Sequence, residues 1–211
     1  MRGIKRVLND ARLYLVLDND VLPLDRLYKV LRESVQAGVP IVQLRCKSGS
    51  SRDILDFSKR AVRFLKGTVP FIVNDRADLA LAAGADGVHL GQEDLPLRCA
   101  RKILGRRKII GVSCQTLAHA RWAEADGADY IGFGSVFKTR TKPGRQPMDL
   151  DLVARVARRI KIPVFFIGGI TLRNVKDIAA RGVQRIAVTR AVCLADNIGA
   201  TTKEFLKFLR G

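Results

Sequence analysis

The sequence predicts an α/β protein folded as one closed (β/α)₈ barrel, on three observations. Short apolar runs alternate with helical patterns along the whole chain, four segments repeat a small-residue–glycine–strand layout, and nearly every run ends in a polar or glycine residue. The repeats cover 37–45, 83–91, 126–134 and 181–189. Glycine suits their starts because the residue after a helix often takes a left-handed backbone. Between them lie strand-like runs at 13–17, 70–73, 109–112 and 163–167, making eight. Leu24, Leu27, Val30, Leu31 and Val35 show helical spacing, as do Leu150, Leu152, Val153, Val156 and Ile160. Near-continuous apolar strands separated by helices indicate a parallel sheet covered by helices, and eight units close into a barrel. An open doubly wound sheet is the alternative; the turn after Leu17 reads Asp18, Asn19, Asp20 and lacks its glycine fingerprint. The domain is expected as an N-terminal extension over 1–12, a barrel core over 13–196 and a C-terminal helix over 197–211.

The 211 residues are 47% hydrophobic and 27% charged, which suits one globular domain with a sizeable core. A net charge of +18 favours an anionic partner. Arg101-Lys102, Arg106-Arg107-Lys108 and Arg158-Arg159 read as solvated faces. Aromatics make up only 6%, so there is no basic-aromatic platform for stacking bases, and no groove-reading motif is present; nucleic acid is not the expected partner. No secretion signal or membrane-length apolar run is evident, so a cytoplasmic protein is expected. Cys46, Cys99, Cys114 and Cys193 form no zinc-type spacing and read as reduced thiols.

Strand ends in a barrel share one rim, where barrel enzymes place their chemistry. Around that rim come Gln43, Arg45 and Lys47; Asn74 and Asp75; Gln92 and Asp94; Ser113; Thr139, Arg140, Thr141 and Lys142; Gly168 and Gly169; then Thr189 and Arg190. Asp75 and Asp94 fit a carboxylate pair for a hard divalent cation such as Mg²⁺; equally, Asp75 fits a helix cap and Asp94 a turn residue. Two anion sites emerge. Gly168, Gly169 and Arg190 suit a monophosphate, because a Gly-Gly turn lets backbone N–H groups approach it. Arg45, Lys47 and Lys142 beside the aspartates suit a doubly phosphorylated group.

These motifs, spread over about 13–196 in order, closely resemble the thiamine-phosphate synthase family: Gln43-Leu-Arg45-Cys-Lys47, Asn74-Asp75-Arg76, Gly87-Val-His-Leu-Gly-Gln-Glu-Asp94, Gly111-Val-Ser113, Thr139-Arg-Thr141-Lys142 and Gly168-Gly-Ile170. The resemblance implies a TIM barrel that couples hydroxymethylpyrimidine diphosphate to a thiazole phosphate with Mg²⁺. It releases pyrophosphate, and CO₂ from a carboxylated substrate, to give thiamine monophosphate. It further implies that Gln43, Arg45, Lys47 and Asn74 hold the pyrimidine diphosphate, and that Asp75 and Asp94 ligate Mg²⁺. Ser113 and Lys142 would reach the pyrophosphate, with Lys142, Ser113 and Arg45 the catalytic set. Thr139, Thr141, Gly168, Gly169, Thr189 and Arg190 would hold the thiazole phosphate. The family's reaction is dissociative, consistent with a rim lacking an activated nucleophile.

Two positions depart from the family pattern. Cys46 replaces a commonly acidic residue, its side chain expected on the other face of the strand, and Thr189-Arg190 replaces a small apolar residue and serine. Arginine is itself an apt phosphate ligand. His89 reads as a hydrogen-bonded structural histidine, Trp122 and Phe165-Phe166 as packing residues, and Cys114 as a candidate to face the site; His119 carries no site role. The rivals are a thiazole tautomerase paralogue and a non-catalytic binding protein for phosphorylated precursors or nucleic acid. Asp94, Thr141 and Lys142 favour the synthase, since an isomerase needs no metal–pyrophosphate machinery. Homo-oligomeric assembly is compatible with the sequence.

Overall fold

A computed structural model describes residues 3–140, 144 and 146–210. Eight parallel strands close into a barrel in sequence order: β1 Leu13–Asp18, β2 Val42–Arg45, β3 Phe71–Asn74, β4 Gly87–Leu90, β5 Ile109–Cys114, β6 Tyr130–Phe133, β7 Val164–Ile167 and β8 Ile186–Val188. Closure is completed by β1 pairing with β8, Leu13 opposite Ile186. The helices are α1 Ile4–Asp10, α2 Leu24–Gln36, α3 Ser51–Leu65, α4 Ala77–Ala83, α5 Leu97–Leu104, α6 Leu117–Ala125, α7 Leu150–Arg159, α8 Val175–Ala179, α9 Arg190–Cys193 and α10 Ile198–Arg210. The eight-strand barrel is therefore the observed fold. None of the described helices is long and apolar enough to cross a membrane.

Strand alternation divides the core in two. Leu13, Leu15, Leu17, Val42, Leu44, Phe71, Val73, Val88 and Leu90 belong to the outer cluster packed under the helices, while Tyr14, Val16, Ile72, Ile109, Tyr130, Phe165 and Ala187 form a separate inner cluster. Leu8 and Ala11, from α1 and the residue after it, join that inner cluster, so the N-terminal segment packs onto the barrel interior. Leu8 is 1% exposed, and burying such a leucine contributes about 2 kcal/mol.

A layer of Tyr14, Tyr130 and Phe165, with edge-on ring contacts of 5.2 to 5.7 Å, lies within this interior. Gly111 makes room for it: a Cβ there would sit 2.0 Å from the Tyr130 ring.

Helix starts govern the loops after β2 and β5. Ser50 and Asp53 form a capping box on α3, ending the loop that carries Lys47, and Thr116 caps α6 through the His119 N–H. Two basic residues differ from their reading as solvated charges. Arg101 bonds the Lys108 carbonyl at 2.6 Å and pairs with Asp129 at 2.6 Å, while Lys108 donates to the Ala85 carbonyl at 2.6 Å. They staple loops that precede strands, where backbone carbonyls need donors. Trp122 also differs: it is 67% exposed, because the phase of α6 turns Ala120 and Ala123 inward.

Candidate active site

The carboxyl ends of the strands surround a cavity of about 390 Å³, within the usual size of a small-molecule site. Gln43, Arg45, Lys47, Asn74, Asp75, Asp94, Ser113, Thr139, Gly168, Gly169, Thr189 and Arg190 all line it. Thr141 and Lys142, also expected here, lie outside the described residues. Parallel strands of a closed barrel end on one side, which is why residues scattered over the sequence meet.

The aspartates are adjacent. Their carboxyl groups lie close enough to shift each other's protonation, and Lys47 Nζ forms an ion pair with Asp75. Asp75 occupies a left-handed backbone conformation (φ 63°), and its N–H donates to the His89 carbonyl at 2.7 Å. It is no helix cap, because the N-cap of α4 is Arg76. Asp94 Oδ2 accepts the Gly91 N–H at 2.6 Å.

Partial burial, then the Asp94 carboxyl, raises the Asp75 pKa above the usual aspartate value. For Asp94, burial pushes upward, but the Asp75 carboxyl and the bond from the Gly91 N–H outweigh it and hold its pKa below that value. Two carboxyls held together with a lysine in attendance make an environment that favours added positive charge. The donor set fits Mg²⁺, which takes one or two carboxylates and completes its shell with water and substrate phosphate. Among the described residues no group of three or more His, Cys, Asp or Glu could hold a metal.

Sequence reading treated Asp18, Asn19 and Asp20 only as a turn lacking glycine. The structure makes them the brace of the Arg45–Lys47 segment. Arg45 Nη1 donates to Asp18 Oδ1 and Asp20 Oδ2, both at 2.7 Å. Asn19 accepts the Lys47 N–H at 2.9 Å and donates to Ser48 Oγ at 2.6 Å. Burial works against the Arg45 charge, but Asp20 and Asp18 outweigh it, and its pKa rises. Asp18 is fully buried, so losing Arg45 would strand its charge at a cost of about 3–5 kcal/mol.

On the opposite side, Gly168 (φ 108°) and Gly169 (φ 65°) form the turn after β7. The Gly168 carbonyl accepts the Phe137 N–H at 2.9 Å, and Asn174 Nδ2 donates to the Gly169 carbonyl at 2.9 Å. A Cβ on Gly168 would lie 2.1 Å from Ser135 Oγ and 2.7 Å from its Cα, too close to accommodate without moving backbone. Gly168→Ala is expected to raise KM for a phosphate held here about tenfold or more, an effect of about 1.4 kcal/mol, with a smaller change in kcat. Steady-state kinetics with each substrate varied in turn checks this. Arg190 opens α9 at the same edge and makes no ion pair among the described residues.

Several lining residues had no assigned role: Asp18, Gln115, Ser135, Lys138, Arg140 and Thr171. Asp18 carried a usable signal, a carboxylate at a strand end; the loop residues carried little. Cys114 borders the cavity, yet its side chain is buried in the outer core cluster, and burial pushes its thiol up to about 12. Strand alternation gives the inward position to Ser113. Cys46 packs against the same outer cluster, on the face expected. His89 is a buried, hydrogen-bonded histidine, as read, and it also borders the cavity. Phe165 and Phe166 are buried packing residues on opposite faces of β7.

Comparison with known proteins agrees with this geometry. The family model described as "Thiamine monophosphate synthase" matches residues 13–192. The thiamine-phosphate synthase of Gloeobacter violaceus is 48% identical over 201 residues, 94% of this chain but only 58% of that longer protein. The thiamine-phosphate synthase of Alkaliphilus oremlandii is 44% identical over 190 residues, 90% of this chain and 91% of its own. The solved structure of thiamine phosphate pyrophosphorylase from Pyrococcus furiosus superposes with a TM-score of 0.86 at 35% identity, covering 97% of this chain and 98% of that one. With barrel, rim motifs and these relatives in agreement, the chain belongs to the thiamine monophosphate synthase family.

Proposed function

We propose that the chain is a thiamine-phosphate synthase, a transferase that joins hydroxymethylpyrimidine diphosphate to a thiazole phosphate and releases pyrophosphate. The observation carrying this reading is that one cavity has a carboxylate pair with cations on one side and a glycine turn beside Arg190 on the other. Two phosphorylated partners require two anion-binding ends facing one reaction space.

Arg45 and Lys47, with Gln43 and Asn74, hold the pyrimidine diphosphate; Asp18 and Asp20 keep the Arg45 guanidinium in place. Asp75 and Asp94 would hold Mg²⁺, whose charge, when bound, offsets that of the leaving diphosphate. Ser113 donates a hydrogen bond to the diphosphate, and Lys142 adds charge from the loop after β6. Gly168, Gly169, Thr139, Thr141, Thr189 and Arg190 seat the thiazole phosphate, placing its ring nitrogen towards the pyrimidine methylene.

The reaction breaks the methylene–oxygen bond, with the electron pair leaving on pyrophosphate. The thiazole nitrogen lone pair then forms the new carbon–nitrogen bond to the pyrimidine methyl cation. A carboxylated thiazole substrate also loses CO₂. The rim provides positioning and charge stabilisation rather than a covalent nucleophile, and the elevated Cys114 pKa leaves that thiol protonated at neutral pH.

A mass-resolved assay with both substrates, with and without Mg²⁺, tests the reading. Thiamine monophosphate formed only with Mg²⁺ is the expected result. Thiazole isomerisation alone would identify a tautomerase, and tight binding without conversion a binding protein; either outcome rejects the synthase.

A further inference from the structure

We infer that His89 is a positioning residue, carrying its proton on Nε2 because a hydrogen-bond chain from Gln43 dictates it, so that the Ser113 hydroxyl hydrogen is left free to point into the cavity. The chain crosses the barrel interior through five strands. Gln43 Nε2 donates to Tyr14 Oη at 2.8 Å, Tyr14 Oη meets Tyr130 Oη at 2.8 Å, and Tyr130 Oη meets His89 Nδ1 at 2.9 Å. His89 Nε2 then meets Ser113 Oγ at 2.9 Å.

Hydrogen counting sets the direction. Tyr14 and Tyr130 are 2% and 0% exposed, and burial raises both phenol pKa values, so each keeps a hydrogen that needs an acceptor. Tyr14 already receives the Gln43 amide hydrogen, and Tyr130 offers its only other hydrogen-bonding atom among the described residues. Tyr14 therefore donates to Tyr130. By the same count Tyr130 donates to His89 Nδ1, which must be the bare nitrogen. The ring proton then sits on Nε2 and is given to Ser113 Oγ. Ser113 is thus an acceptor from the histidine, and its own hydrogen is available to an anion.

The reverse direction would give Tyr14 two incoming donors and leave its own hydrogen without an acceptor. Only a first member that accepts, rather than donates, would turn the chain round. Gln43 on β2 thereby controls the donor on β5 without touching it. That the freed hydrogen meets a diphosphate oxygen rests on the proposed synthase reading; the direction of the chain does not.

The chain has two histidines, His89 and His119, so side-chain ¹⁵N spectra of the ligand-free protein at neutral pH, assigned with His119→Gln, report the His89 tautomer directly. The Nε2–H form is expected. Gln43→Glu, read at a pH where its carboxylate is ionised and can only accept from Tyr14, should move the proton to Nδ1. Tyr14→Phe, which interrupts the chain without altering charge but also removes the acceptor of the Gln43 amide, should give mixed tautomers and weaken inorganic pyrophosphate binding in the presence of Mg²⁺ by about threefold to tenfold. Tyr130→Phe, which leaves the Gln43–Tyr14 contact in place, should weaken it by a similar factor.

An Nδ1–H or doubly protonated ring in the unaltered protein overturns the inference, and that measurement needs no variant to fold. So does a tautomer that Gln43→Glu leaves unchanged, and unaltered pyrophosphate affinity in Tyr14→Phe or Tyr130→Phe overturns the link to Ser113. Absence of thiamine phosphate formation alongside the expected tautomer would reject the proposed function alone.

Discussion

Asp75→Asn is expected to lower kcat about 10²–10³-fold, the range seen when one preorganised stabilising group is removed, and to raise the Mg²⁺ concentration needed for half-maximal rate. Asparagine keeps the size of the side chain and tolerates the left-handed backbone at this position (φ 63°). The change therefore removes charge with little disturbance of shape. Its effect on stability should run the other way. Because the folded-state pKa of Asp75 is raised, the folded protein holds that proton more tightly than the unfolded chain. Stability falls as pH rises through that interval, and at neutral pH the ionised group is a net cost that asparagine removes. Magnesium-dependent turnover and a melting curve for the same variant check both halves. Near-normal turnover with unchanged Mg²⁺ dependence would remove Asp75 from the metal role. Arg45 is a less clean target, since its loss also strands the buried Asp18 charge.

Lys142→Ala is expected to lower turnover about 10²-fold or more if its charge acts on the departing diphosphate. Lys142 itself lies outside the described residues, but Lys138, Thr139 and Arg140, earlier in the same loop, border the cavity. The loss should appear in kcat and kcat/KM together, the signature of an interaction made mainly in the transition state. A circular dichroism spectrum like that of the unaltered protein would show the fold intact. A variant of near-normal rate would exclude the role.

The barrel was legible because its strands carry both marks of their position. Inward and outward residues alternate, and a glycine ends the preceding helix at β2, β4, β6 and β8. The rim was legible for a related reason. A polar residue at the end of an apolar strand must be solvated or must bind something, so Gln43, Asn74, Asp75 and Ser113 stood out one by one. Residues whose role depends on another strand did not. Tyr14 and Tyr130 are indistinguishable from core aromatics in sequence, yet they carry a polar chain across the interior. Trp122 read as a packing residue and lies outside, since a shift of about two residues, half a turn, reverses the outcome on a short helix.

Local chemistry along the chain thus determined the number of strands, their parallel order and many of the residues on the cavity rim, because periodicity and turn residues act over only a few positions. Tertiary structure alone decided which of those residues meet: Arg45 with Asp18, Lys47 with Asp75, Asp75 with Asp94, and Gln43 with Ser113 through two tyrosines and a histidine. Those meetings depend on barrel closure and on the rotamers that packing permits across strands far apart in sequence. Such distances and proton positions are properties of the closed barrel, to which no single segment has access.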